Sequence, residues 1–397
     1  MTHPSDEIYC EKSEDLAGKT IVMGITGSIA AVECFSTIRE LVRNGAEVIP
    51  VMTAEALKLV TPDSLEFASG YKPVTELTGL TEHITMLNGD DTADLLLIYP
   101  ATANTISKIA NGIDDTPVTS MATVALGFGV PILIAPAMHQ SMYDNPAVSE
   151  NIKRLDSWGV EIIGPRIEDG RAKVAQKDEI VANVKRVLSD SPIKNKKVLI
   201  IGGRSEETID SMRLISNRSS GMMALSLAEA AFERGADTEL WMGACSVQIP
   251  GYIPTTRFDS VEDLAELTED IDHDIVIVPA ALSDFRMKDV REGKISSDSD
   301  LTLELDPAPK ILPMITSRCK TVIGFKAESG LTEQQLIERA RSRLLEYGLY
   351  AVIANDIDSA GKDEISVIMV REDFEDIITG SKKEIAGEIL DQYFGGE

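Results

Sequence analysis

The chain opens the same supersecondary plan twice. From Lys19, "KTIVMGITGSIAAVECFSTIRELVRNGAEVIPVM" reads as an apolar strand, a glycine turn, a helix stopped at Asn44-Gly45, and a second strand. From Lys196, "KKVLIIGG" and later "SGMMALSLAEAAFERGADTELWM" repeat that order, with Gly235 as the stop. Two strands joined through a helix run parallel, and a parallel sheet needs helices on both faces. Further strand-like runs follow in "DLLLIYPA", "VPILIAPA", "DIVIVPAA", "TVIGFKA" and "YAVIANDI", spaced by helical patterns. The fold class is therefore α/β, with two Rossmann-like parallel-sheet domains. The polar, proline-containing "SDSPIKNK" at 189–196 reads as the linker. It separates a first domain at 19–190 from a second at 191–397. Residues 1–18 are acidic, lack an apolar core and read as a disordered tail.

Composition narrows the ligands. Hydrophobic residues make up 43%, enough for two ordinary cores. The formal net charge of -27 argues against nucleic acid as a partner, which needs a basic footprint. Any anionic ligand must be held locally, by helix N-termini, backbone amides and a few Lys or Arg. Cys10, Cys34, Cys245 and Cys319 lie far apart with no C-x-x-C pair. That spacing is neither a disulfide framework nor a zinc site, and it fits a reducing cytoplasm. The stretch from Thr116 to Met138 carries no charge and mimics a membrane span in length. Gly127, Gly129, Pro131 and Pro136 interrupt it, and the mean hydropathy is -0.01, so it reads as a buried loop followed by a strand.

Ligands in open parallel sheets bind beyond the carboxyl ends of the strands. A dinucleotide site places Asp or Glu at the end of the second strand to hold ribose hydroxyls; here those strands end in Met52-Thr53 and Met242-Gly243. A mononucleotide phosphate on Gly27, Ser28 and the following amides fits better than NAD, and a tight turn without ligand stands beside it. In "PATANT", Thr102 and Asn104 are placed both to cap the next helix and to face a flavin or nucleotide. "APAMHQSMYDNP" ends another core strand in a small-residue turn carrying His139. His83, in "LTEHITM", stands between polar and apolar neighbours, where a lone histidine is more often structural than catalytic.

Taken together, "GSIAA", "VMTAEA", "EHI", "PATANTISKIANGI" and "APAM-x-x-x-M-x-x-NP" resemble the flavin-dependent cysteine decarboxylases. From Lys196 onward, "GG…ID…RLISNRSSG", "AALSDFR", "GFKAES" and "ANDI" resemble phosphopantothenate–cysteine ligase. The order is similar to that of the bifunctional enzymes of coenzyme A biosynthesis, over nearly the whole chain except the acidic tail. The resemblance implies an N-terminal flavoprotein domain and a C-terminal ligase domain. The second would activate the carboxylate of 4'-phosphopantothenate as an acyl-cytidylate for attack by cysteine. The first would use FMN to oxidise the cysteinyl group, release carbon dioxide and return the electrons, giving 4'-phosphopantetheine.

The same resemblance carries residue roles. His83 would be the base or proton shuttle near the thiol. FMN would lie on Gly27, Ser28, Ile29 and Thr53, with Thr102, Asn104, Ser120 and Met138 completing its pocket. Asn145 would join the substrate side. In the ligase, Asn217 would polarise the mixed anhydride's carbonyl. Gly202, Gly203, Phe325 and Lys326 would contact nucleotide or substrate. Asp284 would hold Mg²⁺ on the triphosphate, and Lys294 and Lys310 would neutralise charge on the phosphates. Trimeric flavin domains joined by dimeric ligase domains are implied as the assembly.

Three departures from the pattern stand out. His139 replaces an Asn that grips the substrate carboxylate, a role imidazole can fill by donating a hydrogen bond. Of the lysine-rich "K-x-K-K" only Lys294 survives, and "APKIL" adds Lys310, leaving CTP against ATP open. The flap "PRIEDGRAKVAQKDEI" lacks the cysteine many relatives carry, so Lys173 and His139 become candidate proton donors for the last step. Two other readings remain: a ligase whose flavin domain has lost decarboxylation, and a regulatory interaction subunit.

Overall fold

The computed structural model describes residues 3–89, 92–164, 166–168, 171–290, 292–295, 301–356 and 365–394. Its contacts divide the chain into two units, Met1–Leu188 and Ser189–Glu397. Among the described residues no helix is long and apolar enough to cross a membrane.

The first unit is built on five parallel strands: β1 (Thr20–Ile25), β2 (Glu47–Met52), β3 (Leu95–Ala101), β4 (Ile132–Pro136) and β5 (Glu161–Ile162), in the order β2-β1-β3-β4-β5. Alternation along β1 sends Ile21, Met23 and Ile25 to one face, against Ile38 and Leu41 of the helix Cys34–Arg43. Val22 goes to the other face, where it meets Val118 and Met121 of the helix Pro117–Phe128. With both faces covered, β3 is buried along its full length. Strand order reverses between β1 and β3, so the crevice opens at their carboxyl ends.

Two expectations fail in this unit. The charge-free stretch after Thr116 is a helix rather than a loop. Thr116 and Thr119 cap each other's backbone, Pro117 occupies the first turn, and Gly129 closes the helix at φ +85°. The glycines mark its end, which interruption alone did not reveal. The acidic tail is ordered in the described residues from His3. The backbone amides of Cys10, Lys12 and Leu16 donate to the carbonyls of Val42, Arg43 and Asn44 at the C-terminal end of the helix Cys34–Arg43. Lys12 pairs with Glu40, Arg43 with Glu11, and Lys185 with Asp15 at 2.6 Å, so Glu11 and Asp15 are neutralised locally. Leu16, 1% exposed, anchors the segment in the core.

The second unit has an eight-stranded sheet. Its order is Thr255–Arg257, Asp237–Met242, Lys197–Gly202, Ile275–Val278, Val322–Glu328, Ala351–Asp356, Ile365–Val370 and Glu375–Gly380. The first six run parallel, and the last two pairings, of Ile365–Val370 with its neighbours on either side, are antiparallel. Order reverses between Lys197–Gly202 and Ile275–Val278, the dinucleotide-fold pattern with an added hairpin.

Truncating the tail anchor tests its order. Leu16→Ala is expected to lower unfolding free energy by about 2–5 kcal/mol, read from urea denaturation of the full chain. A disordered tail would leave the midpoint unchanged.

Candidate active sites

At the β1–β3 reversal, the buried Thr26 joins two loops. Its hydroxyl donates to the carbonyl of Pro100 at 2.6 Å and accepts the amide of Thr102 at 3.0 Å. Gly27 follows, and a Cβ there would lie 2.5 Å from Glu55 Cβ, so only glycine lets the β2 loop approach. Ser28 caps the short turn Ile29–Glu33, accepting the Ala30 amide. Thr53 is buried at the end of β2 and accepts the Ala56 amide. Thr102 caps the helix Ala103–Ala110, and Asn104 is exposed on its first turn.

A cavity of about 730 Å³ opens over these strand ends. Ser28, Ile29 and Glu33 line it from the β1 side, Met138 and His139 from the β4 side, and Lys177 and Asp178 from the start of the helix Lys177–Leu188. His139 caps the short helix Gln140–Tyr143: its Nδ1 accepts the Ser141 amide at 3.3 Å and lies 3.0 Å from the Ser141 hydroxyl. With Nδ1 accepting, neutral imidazole carries its proton on Nε2.

Ser28, Ile29, Met138 and His139 are thus brought together. Gly27, Thr53, Thr102 and Asn104 shape the neighbouring loops without lining the cavity. Ser120 is buried, with its hydroxyl bonded to the Asp114 carboxylate. Asn145 caps the helix Pro146–Ser157, accepting the Ala147 amide at 2.9 Å. His83 lies on the short helix Glu82–Thr85, also off the cavity wall, and its buried Nδ1 has no hydrogen-bond partner. The side chain of Lys173 lies outside the described residues. Thr26, Glu33 and Asp178 were missed; Asp178 carried only the ordinary signal of an acid in a helix's first turn.

In the second unit, Gly203 takes φ +77°, and a Cβ there would stand 2.9 Å from the carbonyl oxygen of Ala244. Its own carbonyl accepts the Ala281 amide at 2.9 Å, while Gly202 ends the strand before it. Ser205, fully buried, accepts the Ser283 amide. These bonds hold the loop 279–284, which borders a cavity of about 240 Å³. Asp284, Lys310, Phe325 and Lys326 line it, joined by Arg343 and Tyr347. Lys310 lies 2.6 Å from Asp284. That contact, foremost, together with the charges of Lys326 and Arg343, holds the Asp284 carboxyl below the usual carboxylate range. Asn217 Nδ2 donates to the Ala281 carbonyl at 3.0 Å, so it sits at the rim. Lys294 is exposed and does not line the cavity. Arg343 was missed, because a basic residue on a polar helix reads as a solvated charge.

Among the described residues no cluster of three or more His, Cys, Asp or Glu would hold a metal by itself. A single carboxylate in a cationic cleft suits a hard cation that keeps its waters and shares a ligand's phosphates.

Fold and clefts define an α/β protein with a cleft in each unit, at the carboxyl ends of that unit's parallel strands. The flavoprotein family matches residues 10–189, and the family described as DNA/pantothenate metabolism flavoprotein C-terminal domain matches residues 193–395. The coenzyme A biosynthesis bifunctional protein CoaBC of Thermococcus kodakarensis is 45% identical, across 99% of this chain and 99% of that one. The Methanocaldococcus jannaschii protein of the same name is 39% identical over 99% of this chain and 97% of its own. That of Bacillus subtilis is 32% identical over 87% and 88%. The chain belongs to this family of bifunctional coenzyme A biosynthesis enzymes.

The Asp284–Lys310 contact makes a prediction independent of turnover. Lys310→Gln is expected to raise the Asp284 pKa toward its ordinary value, because both a hydrogen bond and a positive charge are lost. Carboxyl-carbon NMR titration reads it, and an unchanged pKa would show that the two side chains do not interact in solution.

Proposed function

We propose that the second unit ligates 4'-phosphopantothenate to cysteine at the expense of CTP, and that the first decarboxylates the product to 4'-phosphopantetheine with FMN. Within this family, the grouping of Ser28, Met138 and His139 around one cavity carries the reading for the first unit. The assembly of Asp284, Lys310 and Lys326 around the other supports it for the second. The reducing cytoplasm is the compartment.

In the ligase cleft, Lys310, Lys326 and Arg343 offset triphosphate charge that the chain's overall negative charge would repel. Asp284, freed if Lys310 turned to the phosphates, would be the carboxylate to hold Mg²⁺, which would supply further positive charge against the triphosphate. Lys294 neutralises charge as pyrophosphate leaves. Asn217 then donates to the acyl carbonyl oxygen as the cysteine amine attacks, stabilising the negative charge that develops there.

In the flavin cleft, Ser28 binds the phosphate and Met138 covers the pocket. When bound, FMN supplies the electron sink that decarboxylation needs. His139, its Nδ1 occupied as a helix cap, presents Nε2–H to the substrate carboxylate. His83 removes a proton near the thiol. Its place off the cavity of one chain fits a trimer whose flavin pocket lies at a subunit boundary, and its unpartnered Nδ1 supports a ligand-facing role. The last protonation falls to Lys173 or His139.

Incubation with phosphopantothenate, cysteine, Mg²⁺ and each nucleotide, followed by mass analysis, tests the scheme. Phosphopantothenoylcysteine as the final product would reject the decarboxylase assignment and leave the ligase standing. Ser28→Asp is expected to give colourless protein, since a carboxylate would oppose the phosphate. His83→Asn keeps flavin and ligation but releases no carbon dioxide. Asn217→Asp forms the acyl-cytidylate yet passes it to cysteine more slowly, by on the order of 10²–10³. Under anaerobic conditions, the variant among Lys173→Met and His139→Asn that accumulates the ene-thiol names the final proton donor.

A further inference from the structure

One carboxylate outside both cavities is more heavily engaged than its surroundings require. Asp210 lies between the strands Glu206–Thr208 and Leu214–Ser216, the second of which runs directly into Asn217. Its side chain is fully buried. Oδ1 accepts the amides of Met212 and Arg213, each at 2.8 Å. Oδ2 accepts Arg213 Nη1 at 2.7 Å and the amide of Ile295 at 3.0 Å. The first three bonds are local and close the hairpin's turn. The fourth is not: it reaches 85 residues along the chain.

That distant segment is gripped from several sides. Arg213 Nη1, already on Asp210, also donates to the Ile295 carbonyl at 3.2 Å, so both backbone groups of Ile295 are engaged. Two residues earlier, the Gly293 carbonyl accepts the Ser211 amide at 3.4 Å. Lys294 stands between these clamps with its side chain exposed. One buried charge thus sits where the hairpin leading to Asn217 meets the segment carrying Lys294.

We infer that Asp210 is a positioning residue for the ligation reaction, fixing the Lys294 segment against the hairpin that ends in Asn217. The inference rests on the proposed role of Lys294. The chemistry requires the link to be a carboxylate. Four donors converge on two oxygens, and an Asn would turn an N–H₂ group toward N–H donors on one side or the other. The Ile295 amide, foremost among these bonds, holds the carboxyl at about 2, so it stays ionised throughout an assay range near neutrality.

A double-variant cycle on the full-length chain separates positioning from simple stability. Formation of the acyl-nucleotide in a single turnover is measured for wild type, Asp210→Asn, Lys294→Gln and the double variant. Asp210→Asn is expected to slow that step by on the order of 10²-fold, the scale of a misplaced charged group. Once the clamp is lost, removing the lysine's charge should add little, so the double variant should be no slower than the slower single one. Independent, multiplying effects would overturn the inference while leaving Lys294 catalytic. A wild-type rate in Lys294→Gln would reject the lysine's own role, and the inference with it. Where Asp210→Asn fails to fold, Ile295→Pro replaces it in the cycle, removing the one amide of the Lys294 segment that reaches Asp210 while leaving the carboxylate and the hairpin's own bonds in place. The same two outcomes then decide.

Discussion

Both sites depend on how a parallel sheet handles the backbone where its strand order reverses. Neighbouring loops diverge there toward opposite faces, and their amides and carbonyls lose sheet partners inside a crevice. In each unit a buried hydroxyl residue holds the junction. Thr26 donates to Pro100 and accepts from Thr102, tying the loop after β1 to the loop after β3. Ser205 accepts the Ser283 amide through its hydroxyl and donates its own amide to the Ala281 carbonyl. At Thr26 a hydroxyl suits the place because it donates and accepts within one short side chain. Glycine completes both junctions: Gly27 because Glu55 leaves no room for a Cβ, and Gly203 because its backbone is left-handed.

Electrostatics divide by scale. The chain as a whole is strongly acidic, yet the smaller cleft gathers Lys310, Lys326 and Arg343 around one carboxylate. Local charges dominate inside a cleft, where screening by water is weakest. The acidic N-terminal segment follows the opposite logic. Two of its carboxylates, Glu11 and Asp15, are taken up by Arg43 and Lys185, and its backbone supplies donors to the end of a helix. Acidity and order are therefore compatible where a few charges and amides find partners on neighbouring helices.

The amino-acid sequence by itself determined the two parallel sheets. Apolar runs of strand length, spaced by helices and closed by Asn44-Gly45 and Gly235, leave few other ways to bury their side chains. It also marked the loops that carry chemistry, because Gly, Ser and Thr at strand ends are conspicuous against Ile, Leu and Val. Tertiary structure decided what local pattern leaves open. Whether Thr116–Gly129 was loop or helix turned on two threonines capping one another, an interaction weaker as a pattern than the glycines that pointed the other way. The order of the first residues turned on Leu16 finding a core and on helix carbonyls needing donors. Which candidates share a wall was likewise a matter of packing. Ser28 and His139, over a hundred residues apart, face one cavity, whereas His83 does not. Arg343 joined Asp284 only because the helix Glu333–Tyr347 folds beside that cleft. Periodicity and turn chemistry are written between near neighbours in a chain; cavities, clamps such as Asp210 to Ile295, and paired charges form between distant ones, and only the packed sheets bring those together.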